Sequence, residues 1–325
     1  MTLITNPLTT GKSVRFAIIG AGSIGVAFAV VFARARAQVC VYDPDGDRRN
    51  AVIQEVGACL ADLQAFGLLN EPPESILHRI QVTDDLTAAV ANADLIQECA
   101  PEKADLKLEL FTRVEAVAPD YAVLASSSSA LPATQFAPPG RGRTRCLVAH
   151  PGNPPYLIPV IEIVPSPHTE EAVVKRACDL YRQVGLSPVR VRQEIEGFIF
   201  NRLQGAVLRE AYCLVRDGIA DVNDIDTVMR DGLGMRWSFM GPFETVDLNT
   251  RGGIVSHATK MGPAYERMGA QRGQHDPWTS DLVTKVDQQR RTLLSLDDWK
   301  ERVRWRDRML MRLLQSRKNS DDLSS

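Results

Sequence analysis

The stretch GAGSIG, from Gly20 to Gly25, restricts the possible folds of this chain more than any other part of the sequence. The apolar run Val14–Ile19 before it predicts a buried strand, and the largely apolar Ile24–Arg36 after it predicts a helix packed on a sheet. The glycines of a GxGxxG pattern allow a tight turn, close approach of the backbone to a pyrophosphate, and close packing of helix on strand. A strand, this turn and a helix in that order predict the start of a dinucleotide-binding fold.

The residues in and after this turn predict NAD as the cofactor. The glycines and the first helical residues, whose amides face phosphate charge at a helix start, are Gly20, Gly22, Ser23, Ile24 and Gly25. Asp43 follows the second predicted strand, 18 residues after Gly25, where a carboxylate binds ribose hydroxyls and repels a 2′-phosphate. This position favours NAD over NADP, whereas the glycine pattern alone also allows FAD.

Strand-like runs alternate with helical stretches through the first part of the chain. These runs are Val14–Ile19, Gln38–Tyr42, Ile80–Thr83, Asp94–Glu98, Ala122–Ala125, Cys146–Ala149, Pro159–Val164 and Ser187–Arg192. The alternation predicts an α/β fold, a Rossmann-type doubly wound parallel sheet with helices on both faces. Helical periodicity dominates from about Glu196 and predicts an all-α C-terminal domain. We therefore expect an NAD-binding domain over 1–193 and a helical domain over 194–325.

The composition excludes several classes of partner. The formal net charge of -2 does not suit a nucleic-acid-binding protein, and no apolar run approaches the roughly 20 residues of a membrane span. The six cysteines lack metal-ligand spacing and the density of a disulfide scaffold, so we expect no metal site and a cytoplasmic location. Residues 1–13 lack the apolar core of a signal peptide and predict a loose leader.

The apolar segment AHPGNPPYLIPVIEIVP, from Ala149 to Pro165, contains candidates for proton transfer. A nicotinamide enzyme that oxidises an alcohol needs a base for the hydroxyl proton. Of the five histidines, only His150 follows a predicted strand of the nucleotide-binding part with polar residues around it. Glu162 lies within the next apolar strand, where a buried carboxylate is costly without a partner. These residues predict a His150–Glu162 pair. The pair is either a site of proton transfer or a purely structural ion pair.

Five longer motifs extend this pattern over nearly the whole chain. They are IQECAPEKADLK, LASSSSALP, AHPGNPPYLIPVIEIVP, GFIFNRLQ and DGLGMRWSFMGPFET. Together they closely resemble the 3-hydroxyacyl-CoA dehydrogenase superfamily. The resemblance implies that His150 and Glu162 carry the proton chemistry, that Ser129 contacts the substrate hydroxyl, and that Asn201 of the GFxxNR motif is a catalytic residue at the domain junction. It also implies that Asn153 lies near the nicotinamide and that Glu102 and Lys107 line the NAD site.

The chain departs from the acyl-CoA members of that family in ways that bear on the substrate. It has SSSA at Ser127–Ala130 where they have NTSS, HPGNP where they have HFFNP, and GLGMRWSFMGPFE where they have GAGYPMGPFE. The extra element brings in Arg236, whose guanidinium can hold a carboxylate by two parallel hydrogen bonds, although it could instead bridge helix ends or a dimer. We expect NAD-dependent oxidation of the 3-hydroxyl of a small free 3-hydroxy acid of the L-gulonate type.

Two other functions stay open at this point. One is a 3-hydroxyacyl-CoA dehydrogenase, and the other is an NAD-binding structural protein without turnover. The family resemblance, together with the apolar helix Phe198–Val215, also implies that the helical domain 194–325 takes part in substrate binding and in a homodimer.

Overall fold

The computed structural model of the chain describes residues 14–273, 279–303, 305 and 309. The expected leader, 1–13, lies outside the described residues, as does most of a last helix that the sequence predicts over about 297–316.

A sheet of eight strands forms the centre of the first part of the described chain. The strands are β1 (Arg15–Ile19), β2 (Gln38–Tyr42), β3 (Ile80–Thr83), β4 (Leu95–Glu98), β5 (Val123–Ser126), β6 (Cys146–Pro151), β7 (Val160–Pro165) and β8 (Ser187–Arg190). Their order is β3-β2-β1-β4-β5-β6-β7-β8, with the chain crossing from one side of β1 to the other between β3 and β4. This confirms the predicted Rossmann-type fold, and such a switch point is where open α/β sheets bind ligands.

The last two strands run against the direction of the others. All neighbouring strands pair in parallel except β6 and β7, which pair antiparallel. The alternation of strands and helices predicts a parallel sheet, but only residues 152–159 connect β6 to β7. Since a parallel crossover needs about a dozen residues or more, so short a connection allows only a hairpin.

Helices cover both faces of this sheet. They are α1 (Ser23–Arg34), α2 (Gly46–Ala65), α3 (Pro73–Leu77), α4 (Leu86–Val90), α5 (Ala104–Glu115), α6 (Gly142–Arg145) and α7 (Glu171–Gln183). One core packs α1, α2 and α7 against the sheet, and a second packs α4 and α5 against its other face. Because both faces are covered, a central strand can be buried on both sides, which explains the continuous apolar run Phe16–Ile19 of β1.

The remaining described residues are helical, as the sequence predicts. These helices are α8 (Phe200–Arg216), α9 (Val222–Thr227), α10 (Gly234–Trp237), α11 (Pro242–Asn249), α12 (Gly253–Gln271) and α13 (Ser280–Leu293). Proline opens α11 because the first turn of a helix needs no hydrogen bond from that residue's nitrogen. Within the described ranges, none of the helices combines the length and apolar character that a bilayer span requires.

The chain divides into two compact units, one ending at Leu208 and the other beginning at Arg209. This division falls within α8. We nevertheless propose 193/194 as the end of the nucleotide-binding fold, since the last strand, β8, ends at Arg190.

Candidate active site

The glycine turn joins β1 to α1, and two of its glycines are required by the backbone. Gly20 has a φ of +108°, and a Cβ there would lie 2.9 Å from the carbonyl of Cys99 at the end of β4. A Cβ on Gly25 would lie 1.9 Å from the carbonyl oxygen of Gly20. A Cβ on Gly22, by contrast, would meet no atom within 4 Å. The middle glycine therefore leaves open space above the turn, where the fold binds a pyrophosphate.

Asp43, at the end of β2, is fixed against this turn. Its Oδ2 accepts a hydrogen bond from the Ala21 amide (2.7 Å), and its Oδ1 accepts one from the Asp45 amide (2.9 Å). A cleft of about 510 Å³ extends from the glycine turn past Asp43 to the connection between β4 and α5. The open backbone at Gly22 and a carboxylate beside it fit a dinucleotide.

The hairpin of β6 and β7 places His150 directly opposite Glu162. Nδ1 of His150 lies 2.8 Å from Oε2 of Glu162, and the two side chains are buried. Burial raises the pKa of Glu162, but the hydrogen bonds from His150 and from the amides of Phe200 and Ile199 together hold it below its usual range. Glu162 is therefore a carboxylate at neutral pH, and it fixes one nitrogen of the imidazole.

The turn that leads into α8, together with the first residue of that helix, supplies the two amides and the aromatic contacts. Gly197 and Phe198 adopt φ values of +77° and +47°, which direct the following amides to Oε1 of Glu162 at 2.7 and 2.9 Å. The ring of Phe198 lies 5.7 Å from that of His150, and the ring of Phe200 lies at 6.4 Å, nearly perpendicular. Within the described part of the chain, the contact of Nδ1 with Glu162 is the hydrogen bond of the His150 ring, and Nε2 makes none.

Glu102 holds the serine-rich turn that follows β5. Its Oε1 accepts a hydrogen bond from Ser128 Oγ (2.5 Å) and from the amides of residues 129–131 (3.1, 3.0 and 3.2 Å). Burial raises the pKa of Glu102, but these hydrogen bonds and the nearby Lys107 together lower it. The carboxylate thus orders the backbone around Ser129, and no pattern in the sequence predicts this contact.

Lys107 is wholly buried beside a second carboxylate, Glu98. Its Nζ donates to both oxygens of Glu98 (2.8 and 2.9 Å) and lies 3.5 Å from Oε2 of Glu102. Burial raises the pKa of Glu98, and the ammonium of Lys107 is the largest influence that opposes this. Glu98 is absent from the sequence-based candidates, although an acid inside the apolar strand LIQE is the same signal that selects Glu162 in VIEIV.

The other candidates are distributed between the two compact units. Asn201 Nδ2 donates to the backbone carbonyl of Ser129 (3.3 Å), so the structure brings these two residues together. Asn153 is exposed on the connection between β6 and β7, and Ser23 and Ile24 begin α1. Arg236 is half-buried on α10 in the second unit, where no described carboxylate forms an ion pair with it.

Comparison with known proteins places both parts of the chain in one family. The family model for the NAD-binding domain of 3-hydroxyacyl-CoA dehydrogenase matches residues 15–195, and that for the C-terminal domain matches 197–293. Lambda-crystallin of Oryctolagus cuniculus is 37% identical over 300 residues, which cover 91% of this chain and 94% of that protein. L-carnitine dehydrogenase of Streptomyces coelicolor is 37% identical over 284 residues, covering 87% of this chain and 86% of the relative.

A solved structure gives a similar result. The 3-hydroxybutyryl-CoA dehydrogenase of Escherichia coli K12 superimposes with a TM-score of 0.64 at 29% identity, over 77% of this chain and 53% of that one.

Proposed function

Because the chain belongs to the 3-hydroxyacyl-CoA dehydrogenase family and is an NAD-dependent dehydrogenase of that family, we propose that it oxidises a small free 3-hydroxy acid at C3. The substrate is of the L-gulonate type, and the product is the 3-keto acid. The buried His150–Glu162 pair, with its 2.8 Å contact and a free Nε2, carries this proposal. One relative, an L-carnitine dehydrogenase, also supports a free acid, since carnitine is itself a free 3-hydroxy acid.

The residues that would hold NAD are those around the glycine turn and Asp43. The turn and the amides of Ser23 and Ile24 would bind the pyrophosphate, Asp43 would bind ribose hydroxyls, and Asn153 would lie near the nicotinamide. Bound NAD supplies the hydride acceptor for the reaction.

His150 acts as the base for the hydroxyl proton. The ionised Glu162 can only accept a hydrogen bond, so Nδ1 of His150 is the donor. The proton of the neutral imidazole therefore stays on Nδ1, and the lone pair stays on Nε2. Nε2 takes the hydroxyl proton, and Glu162 stabilises the resulting imidazolium. The two amides on its other oxygen keep the carboxylate in place and ionised throughout.

Ser129 and Asn201 orient the oxygen that changes from hydroxyl to carbonyl. Both can hydrogen-bond that oxygen, and the contact from Asn201 to the Ser129 carbonyl keeps them adjacent. In this proposal Glu102 lies on the wall of the NAD site and holds the serine-rich turn, whereas Lys107, which is wholly buried, acts on that turn and does not touch NAD. Arg236 binds the substrate carboxylate.

A panel of substrates assayed with the purified protein tests this function. NADH formation is measured with L-gulonate, L-carnitine and 3-hydroxybutyrate, and with 3-hydroxybutyryl-CoA as the rival substrate. A free acid should be oxidised with the higher kcat/KM, and His150→Gln should abolish that activity. The likeness to the E. coli enzyme favours the rival, a 3-hydroxyacyl-CoA dehydrogenase, which a preference for the thioester would establish instead. NADH binding without turnover on any member of the panel would leave only a non-catalytic role.

We further propose a homodimer and a cytoplasmic location. Exposed apolar residues on α8 and just after it support the dimer. Tyr212, on the helix, is 75% exposed, and Ile219, three residues after its end, is 69% exposed. The six cysteines, all unpaired thiols, support a reducing compartment.

A further inference from the structure

The ion pair of Glu98 and Lys107 has no part in the proposed chemistry, yet it lies directly beneath the serine-rich turn. Both side chains are about 1% exposed, and the pair is joined by two hydrogen bonds. Burying two charges costs several kcal/mol per ion, and a well-packed apolar pair is often as stable. Stability alone therefore gives little reason for this pair.

Glu98 contacts Ser126 and Ser127 directly and is linked to Ser128 through the Ser126 hydroxyl. Its carboxylate accepts from Ser126 Oγ (2.5 Å), and that oxygen in turn accepts from the Ser128 amide (3.2 Å). Its backbone carbonyl accepts from both the amide and the hydroxyl of Ser127, each at 2.9 Å. The first half of the turn is thus attached to the end of β4.

Lys107 links Glu98 to the second half of the turn. Its Nζ lies between the carboxylates of Glu98 and Glu102, and Glu102 accepts the amides of residues 129–131. Lys107 also donates to the carbonyl of Ala100 (3.2 Å), which fixes the connection that carries Glu102. Ser129 therefore lies in a turn whose two halves are both held by this one buried charge network.

We propose that Glu98 and Lys107 are positioning residues that set the location of Ser129. This inference rests on the proposed function, in which Ser129 binds the reacting oxygen. Small displacements of such groups are costly, since a misplacement of about 1 Å can reduce a rate on the order of 100-fold. The network acts through Ser129 on the chemical step and leaves the binding of NAD to the glycine turn and Asp43.

The neutral double variant Glu98→Gln/Lys107→Met tests the role without leaving one charge buried alone. We expect kcat with the best free acid to fall about tenfold or more, while the Kd of NADH from fluorescence titration changes less than about twofold. Glu71→Gln/Arg79→Met is the matched control, because that pair is also joined by two hydrogen bonds, both 2.6 Å, but lies outside the turn. The control should leave kcat unchanged. A double variant with wild-type kcat, or one that loses kcat and NADH affinity equally, overturns the proposal.

Introducing Ser129→Ala into the wild-type protein and into the Glu98→Gln/Lys107→Met double variant separates this inference from the proposed function. If the network acts through Ser129, the double substitution lowers kcat in the wild-type background and adds no further loss to Ser129→Ala. If Ser129→Ala lowers kcat but the double variant does not, the positioning role is wrong and the proposed function stands. If Ser129→Ala has no effect on kcat, the role of Ser129 fails, and this inference fails with it.

Ser126→Ala provides a milder test should the double variant not fold. It removes the hydroxyl between Glu98 and the Ser128 amide but keeps the ion pair. We expect kcat to fall several-fold with an unchanged thermal midpoint, and a wild-type kcat would contradict the proposal.

Discussion

At the residue scale, the carboxylate of Glu162 has three hydrogen-bond donors and almost no contact with solvent. His150 binds one of its oxygens, and the amides of Ile199 and Phe200 bind the other. A buried carboxylate is otherwise costly, so these donors are the physical reason why an acid is tolerated within an apolar strand. The same donors direct the lone pair of His150 to the ring nitrogen that faces away from Glu162.

Glu162→Gln should remove this control of the imidazole. The amide NH₂ of glutamine would donate to Nδ1 of His150, which moves the ring proton to Nε2 and leaves no base there. We expect kcat/KM for the best substrate to fall about 100-fold or more, measured by NADH formation. Because Gln keeps an oxygen for the two amides, the variant should stay folded. Activity within a few-fold of wild type would contradict the role of the pair.

The lowered pKa of Glu162 predicts how stability depends on pH. A carboxyl whose pKa is lower in the folded than in the unfolded state stabilises the fold fully above its unfolded pKa of about 4.3. This contribution is lost as the pH falls through the lower folded-state value. The difference in unfolding free energy between wild type and Glu162→Gln should therefore be constant above about pH 5 and shrink below it. Urea denaturation from pH 3.5 to 7 measures this, and a difference that grows on acidification would exclude it.

Arg236→Met tests the proposed carboxylate contact of the substrate. Charge-assisted hydrogen bonds contribute about 1.5–3 kcal/mol each, so kcat/KM for a free acid should fall about tenfold or more. Arg230→Met is the control, since Arg230 lies near Arg236 in sequence and pairs with Asp231. A loss of less than about threefold at Arg236 would assign this arginine another role.

At the scale of single elements, the three glycines of the turn before α1 have different functions. Gly20 and Gly25 are required by close backbone contacts, whereas a side chain on Gly22 would extend into empty space. The same motif therefore combines a requirement for folding with one for binding.

Alanine at two of these positions should separate those requirements. Gly25→Ala drives a methyl group into the Gly20 carbonyl, so we expect a loss of about 3 kcal/mol or more of unfolding free energy, or no folded protein. Gly22 has a φ of -72°, which alanine adopts freely, so Gly22→Ala should keep its thermal midpoint. It should raise the Kd of NADH about tenfold by occupying the space of the phosphates. Equal NADH affinity in Gly22→Ala and wild type would exclude that space as the phosphate site.

Four neighbouring strands carry polar side chains at the same edge of the sheet, which is formed by the carboxyl ends of β4, β5 and β6 and by the amino-terminal half of the antiparallel β7. Glu98, Ser126, His150 and Glu162 each lie two residues from a strand residue of the core beneath α5, so all four belong to the same face of the sheet. The strands β4 to β7 thus bring polar side chains from distant parts of the chain into one row. The register of the strands, rather than the separation of these residues in the sequence, determines which of the side chains contact one another.

At the scale of the whole molecule, the proposed dimer accounts for the apolar surface of α8. Leu208 and Tyr212 lie one turn apart on this helix, and both are exposed. Light scattering at micromolar concentration should give twice the chain mass for wild type, and Leu208→Glu/Tyr212→Glu should reduce it to that of a monomer. The substitution Phe66→Glu, at an equally exposed apolar residue elsewhere, is the control and should stay dimeric. A monomeric wild type would refute the proposal.

The sequence by itself determined the Rossmann-type sheet, the helical C-terminal part and NAD as the cofactor. Local rules sufficed there, since apolar runs, a GxGxxG turn and Asp43 each act within one strand–turn–helix unit. The connection 152–159 is too short for a parallel crossover, so its length already determined that β7 runs antiparallel to β6. The alternation of strands and helices alone does not show this reversal. Only the tertiary structure decided that Lys107 pairs with Glu98, that Glu102 orders the serine-rich turn, and that two amides at the start of α8 bind Glu162. Those partners lie in different elements, and the free energy of burying a charge depends on which donors the packed fold brings to it.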